Sequence, residues 1–158
     1  MIADVLPPLA FEDFTPGRVF DLGSTVVDRD EMVAFARRFD PQPFHLHEDA
    51  AAASLFKGLA ASGWFTAGLW MRTYVDTVLN RATSLGSPGG DEIAWPAPVF
   101  AGDELRASME VVEARRSRSR PGLGLVKLRG TLHRGDELVF RSTFTGMFGT
   151  RDGAAGAE

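Results

Sequence analysis

With 158 residues, 44% of them apolar and 24% charged, the chain is long enough to bury one core without disulfides or a structural metal. It contains no cysteine, which excludes disulfides and thiol nucleophiles and leaves a zinc site only its three histidines and the carboxylates. A formal charge of -4 argues against a broadly basic nucleic-acid surface, and no run approaches the roughly 20 apolar residues that span a bilayer.

In chain order, the opening Met-Ile-Ala-Asp-Val-Leu-Pro-Pro lacks the basic region and apolar run of a secretory leader, so a soluble cytoplasmic protein is expected. Residues 18–27 alternate loosely between apolar and polar and predict a strand. Asp28 then stands as the N-cap of a helix with Met32, Val33, Phe35, Ala36 and Phe39 at helical spacing. Asp40 lies at its exit, because a proline disfavours helical geometry in the residue before it. Residues 41–47 read as an irregular loop stiffened by two prolines, and residues 48–55 as a short helix ended by Gly58. The longest helical pattern runs from Ser62, its candidate cap, to Asn80. It is apolar on most faces, which predicts burial, with Arg72 and Asp76 forming an intrahelical pair.

After a loop at 86–90, four strands are expected at 91–100, 104–113, 123–133 and 137–148, separated by Gly102-Asp103, Pro121-Gly122 and Gly135-Asp136. One long buried helix with an antiparallel sheet of about five strands gives an α+β fold in which the sheet curls around the helix. The expected organisation is one domain over residues 1–151, followed by a loose Gly/Ala-rich tail over 152–158.

The chemistry concentrates in Phe39-Asp40-Pro41-Gln42-Pro43-Phe44-His45-Leu46-His47, where a carboxylate, an amide and two imidazoles fall within nine residues. Hydration of an alkene conjugated to a thioester needs one group to take a proton from water and one to deliver a proton to carbon, a task that Asp40 and His45 can share. Alone, Asp40 before Pro41 would be an ordinary turn residue; the nearby histidine favours catalysis. His47, two residues on, points away in an extended chain and reads as structural or surface, and His133 as a strand-end surface residue. Gly63 opens the long helix, where free amides face a developing oxyanion, and Trp64 and Phe65 beside it would keep the pocket dry. Gly63 has a plain packing explanation as well. Trp70 and Trp95 read as core or pocket lining. Arg115, Arg116, Arg118 and Arg120 form either a solvated hairpin tip or a contact for the phosphate groups of a ligand. His45, His47 and Asp49 lack a fourth ligand, so no metal is expected.

These residues resemble the MaoC-like (R)-specific enoyl-CoA hydratase and dehydratase family, which has a hotdog fold. The family motif Asp-x-Asn-Pro-x-His, then a short alanine-containing helix, a phenylalanine and a His-Gly pair, is matched by Asp40-Pro41-Gln42-Pro43-Phe44-His45, Ala50 to Ala53, Phe56 and Ser62-Gly63. The segment Pro98-Val99-Phe100-Ala101-Gly102-Asp103-Glu104-Leu105 is similar to the family's Pro-Val-x-x-Gly-Asp-x-Leu strand entry, so the resemblance spans roughly residues 14–148. It implies Asp40 and His45 as the catalytic pair, Gly63 as the amide that holds the thioester carbonyl, and a homodimer or higher homo-oligomer. It also implies an acyl-CoA or acyl-carrier-protein thioester as substrate, with CoA part of the substrate and no separate cofactor. Two positions depart from the pattern: Gln42 stands for the asparagine and Ser62 for the histidine. Gln42 keeps an amide to orient Asp40 or the water, and Ser62 keeps a helix cap. Two alternatives stay open, thioester hydrolysis and a non-catalytic acyl-binding subunit. The helix opening at 62–69 lacks the carboxylate that the first requires, and retention of Asp40 and His45 speaks against the second.

Overall fold

The computed structural model describes residues 8–154. Residues 1–7, on which the expectation about a secretory leader falls, and residues 155–158 of the expected tail lie outside the described residues. Five antiparallel strands, β1 (Val19–Val26), β2 (Gly89–Ala94), β3 (Glu104–Arg116), β4 (Leu123–Arg134) and β5 (Glu137–Gly149), form one sheet in the order β1-β3-β4-β5-β2. The helices are α1 (Arg29–Phe39), α2 (Pro43–Leu46), α3 (Glu48–Ala53), α4 (Gly63–Thr77) and α5 (Arg151–Ala154). This is the α+β hotdog arrangement, a long helix held by a curved antiparallel sheet.

Strand alternation builds the core. Leu105, Ala107, Met109 and Val111 of β3 face inward with Val126, Leu128 and Leu132 of β4 and Phe140 and Phe148 of β5. Phe14 lies between Phe20 and Phe148, stacked on the latter with ring centroids 4.1 Å apart. From the other side, α4 inserts Phe65, Trp70 and Tyr74. Glycine at 130 permits this approach, because a Cβ there would lie 2.4 Å from the Trp70 indole, whose Nε1 donates to the Ser108 carbonyl at 3.0 Å. Burial pushes the Tyr74 phenol above its usual range.

Several sequence expectations need correction. Residues 43–46 are not irregular: Pro43, at the first helical position where its missing N–H costs nothing, starts the short helix α2. Helix α3 stops at Ala53, and the left-handed residue after it is Lys57, not Gly58. The strand expected at 91–100 ends at Ala94 and begins earlier, with Gly89 and Gly90 inside it. Helix α4 is covered on most faces, as expected, and leaves Trp64, Gly68, Met71 and Arg72 exposed along one side. Residues 152–154 of the expected tail continue a helical turn that starts at Arg151, with Arg151 on Asp13 at 2.6 Å and Asp152 on Arg116 at 3.2 Å. The Asp28 cap is present, its Oδ1 accepting from the Glu31 amide at 2.9 Å, and so is the Arg72–Asp76 pair at 2.7 Å.

Candidate active site

Asp40 sits at the C-cap of α1, where its amide still donates to the Ala36 carbonyl, and Pro41 prevents a further turn. The short helix α2 then turns His45 inward, leaving it 6% exposed, while His47 faces solvent. An antiparallel bridge between Ala60 and Phe100 and a bond from the Ala61 amide to the Val99 carbonyl at 2.8 Å bring residues 60–63 beside this pair. Asp103 holds the adjoining loop by accepting from the Phe100 amide at 2.9 Å and from Arg134 at 2.5 Å.

His45 Nδ1 lies 2.8 Å from the Ala60 carbonyl oxygen. A carbonyl only accepts, so Nδ1 carries a proton and Nε2 is the nitrogen at which a second proton can come and go. Nε2 lies 3.4 Å from Asp40 Oδ2. The same Oδ2 accepts from the Ser62 hydroxyl at 2.7 Å, and Oδ1 accepts from Gln42 Nε2 at 2.7 Å. Burial alone would raise the Asp40 carboxyl; the Ser62 and Gln42 donors and the His45 charge outweigh it and hold the group below its usual range.

A cleft of about 480 Å³ opens in front of His45, lined among others by Phe56, Ala61, Gly63, Trp95 and Val99. Trp95 packs against Gly63 and donates from Nε1 to its carbonyl at 2.7 Å. A Cβ on Gly63 would lie 2.7 Å from that ring, so the packing reason for glycine is real here. As the first residue of α4, Gly63 also presents an amide with no acceptor inside the helix. Farther along α4 an apolar cavity of about 500 Å³ is bounded by Trp70, Met71, Tyr74, Ile93, Phe140 and Phe144.

Of the residues singled out in the sequence, Asp40, Gln42, His45, Ser62 and Gly63 converge. Ser62 does not cap α4 as expected: its hydroxyl is spent on Asp40. Neither Trp64 nor Phe65 lines the cleft; Trp64 is exposed and packs edge-on against Trp95 at 5.3 Å, and Phe65 is buried against Phe35. Arg118 and Arg120 are exposed at the β3–β4 hairpin tip, the far end of β3 from Asp103, roughly 40 Å along the strand. Sequence reading passed over the Ala60 carbonyl, since a backbone acceptor has no signature in residue type. Trp95, left as core or lining, forms the wall over Gly63. Among the described residues no three His, Asp or Glu side chains gather as metal ligands would, and no helix is long and apolar enough to cross a membrane.

A family model described as MaoC like domain matches residues 13–129. The chain is 28% identical over 132 residues to the uncharacterised protein YdeM of Bacillus subtilis, covering 84% of this chain and 93% of that one. It is 31% identical over 115 residues to an (R)-specific enoyl-CoA hydratase of Rhodospirillum rubrum, covering 70% of this chain and 75% of the relative. The crystal structure of a MaoC-like dehydratase from Rhodospirillum rubrum superimposes with a TM-score of 0.81 at 39% identity, over 90% of this chain and 98% of that one.

Proposed function

The chain belongs to the MaoC-like dehydratase family, and from that premise we propose that it is a hydro-lyase acting on an enoyl thioester of CoA or of an acyl carrier protein. The observation that carries this reading is the Asp40–His45 pair: a carboxylate and an imidazole 3.4 Å apart, the latter with its tautomer set by the Ala60 carbonyl, at the edge of a largely apolar cleft. In the hydration direction a water oxygen bonds to C3 as one of its O–H bonds breaks, and the π electrons of C2=C3 move onto the thioester oxygen. The pair accepts the proton from water and delivers one to C2, leaving the 3-hydroxyacyl thioester; dehydration is the reverse. The Gly63 amide, at the positive end of α4, meets the enolate oxygen.

The acyl tail runs along α4 into the cavity bounded by Trp70, Tyr74 and Phe144, and the thioester arm leaves through the cleft past Phe56 and Trp95. A second copy of the chain covers the exposed side of α4 and the open edge of β2, where Trp64, Met71, Ile93 and Trp95 are exposed. Sedimentation at micromolar concentration checks this: a monomer removes the dimer from the reading. The cysteine-free sequence fits a cytoplasmic protein.

The deciding experiment follows loss of the conjugated-thioester absorbance of crotonyl-CoA and longer or branched enoyl-CoAs, in wild type, Asp40→Ala and His45→Ala. Hydration that falls by about 10²-fold or more in both variants supports the proposal. Release of free CoA without hydration points instead to a thioesterase.

A further inference from the structure

Serine before the first residue of a helix ordinarily spends its hydroxyl on an amide of the first turn. Ser62 makes no such bond. Its side chain has 0% exposure, and its hydroxyl donates to Oδ2 of Asp40, twenty-two residues away, at 2.7 Å. That oxygen is the one His45 Nε2 faces at 3.4 Å, while Oδ1 is engaged by Gln42. An alcohol that donates to a carboxylate oxygen stabilises the anion and opposes its protonation.

We propose that Ser62 is a positioning residue that divides labour within the pair: its hydroxyl keeps Asp40 an anion, so that the proton taken from water resides on His45 Nε2 and returns from there to C2. This rests on the hydratase reading for its chemical meaning, although the control that Ser62 exerts on the carboxyl does not. The water donates one hydrogen to Oδ2 and one to Nε2, which directs an oxygen lone pair at C3. As the C3–O bond forms, the hydrogen on Nε2 transfers and the imidazole becomes a cation beside the Asp40 anion. That N–H bond then breaks toward C2 as the enolate collapses, restoring neutral His45. Asp40 neither gains nor loses a proton in the cycle. Few charges compete at this position. Of the described groups packed on Asp40, Gln42 and Ser62 are neutral and His45 is the titratable partner acting on it, and Arg38 in the last turn of α1 lies over the Phe39 ring at 4.9 Å.

The test compares wild type, Ser62→Ala and Ser62→Thr by two readouts. The first is the titration of the Asp40 carboxyl carbon in free, 13C-aspartate-labelled protein, assigned with Asp40→Asn. The second is the pH profile of kcat/KM for hydration. Losing one of two neutral donors to a carboxylate is expected to move the Asp40 midpoint up by about one pH unit. The loss of kcat/KM in Ser62→Ala is greatest at the acidic end of the profile, where Asp40 begins to protonate, and threonine, which keeps the hydroxyl, restores both. An Asp40 midpoint unmoved in Ser62→Ala overturns the proposal, whether kcat falls evenly at all pH values or KM alone rises, as for a substrate contact. Because the carbon titration needs no substrate, absence of hydration in the wild type would refute the hydratase reading and still leave the Ser62 assignment to be decided by the midpoint.

Discussion

Gly63→Ala probes the contact that shapes the cleft. On propensity alone the substitution should help, because alanine is favoured over glycine by about 1 kcal/mol inside a helix and by less at its first position. The fold reverses that sign. The new Cβ would lie 2.7 to 3.0 Å from three atoms of the Trp95 ring, closer than unstrained carbons approach. Trp95 would either be compressed, an overpacking cost of about 1–3 kcal/mol, or swing outward. Swinging outward forfeits its 2.7 Å bond to the Gly63 carbonyl, about 1 kcal/mol, and its edge-on packing with Trp64, about another. Either route leaves a net loss of about 1–2 kcal/mol after the propensity gain, and kcat/KM for hydration should fall about 10- to 100-fold as the cleft wall shifts. The assay is a double-mutant cycle in urea with Gly63→Ala, Trp95→Ala and the pair. With the indole absent, Gly63→Ala should become neutral or stabilising. If it is neutral in the wild type as well, or equally damaging in both backgrounds, Trp95 is not the reason for glycine at 63.

Three further outcomes follow from the same geometry. Because the Asp40 carboxyl is held below its ordinary value, its ionised form adds stability that is complete above the unfolded value of about 4 and is lost as pH falls through the lower folded value. The stability gap between wild type and Asp40→Asn, measured by denaturant from pH 7 down to pH 2, should therefore narrow with acid; a gap that widens contradicts the assigned direction. Phe14→Ala removes a ring that is 1% exposed and stacked on Phe148, and should cost about 3–5 kcal/mol in urea unfolding, whereas a cost under 1 would mean that the site collapses freely. Phe144→Ala enlarges the cavity beside Trp70 and Tyr74, and should move the enoyl-CoA preference toward longer chains in a comparison of kcat/KM across chain lengths. An unchanged preference would show that the acyl tail goes elsewhere.

What the sequence determined by itself was whatever is written within a few residues. Gly102-Asp103, Pro121-Gly122 and Gly135-Asp136 marked the bounds of the central strands, Asp28 marked the start of α1, and Pro41 marked its end. The spacing of Asp40 and His45, with a proline on each side of Gln42, located the candidate pair, because both lie on one short stretch whose geometry is local. The tertiary structure alone decided how that pair is wired. Ser62 reaches Asp40 across twenty-two residues, the Ala60 carbonyl sets the His45 tautomer across fifteen, and Trp95 presses on Gly63 across thirty-two. Local propensity pointed the other way for Ser62, toward a helix cap, and was silent on a backbone carbonyl. It likewise left Arg118 and Arg120 free to be imagined beside the cleft, which the length of β3 separates from their hairpin tip. Periodicity and turn chemistry are short-range properties of the chain. Which hydroxyl meets which carboxylate is settled by how α4 docks against the sheet and its connecting loops, and no single segment encodes that.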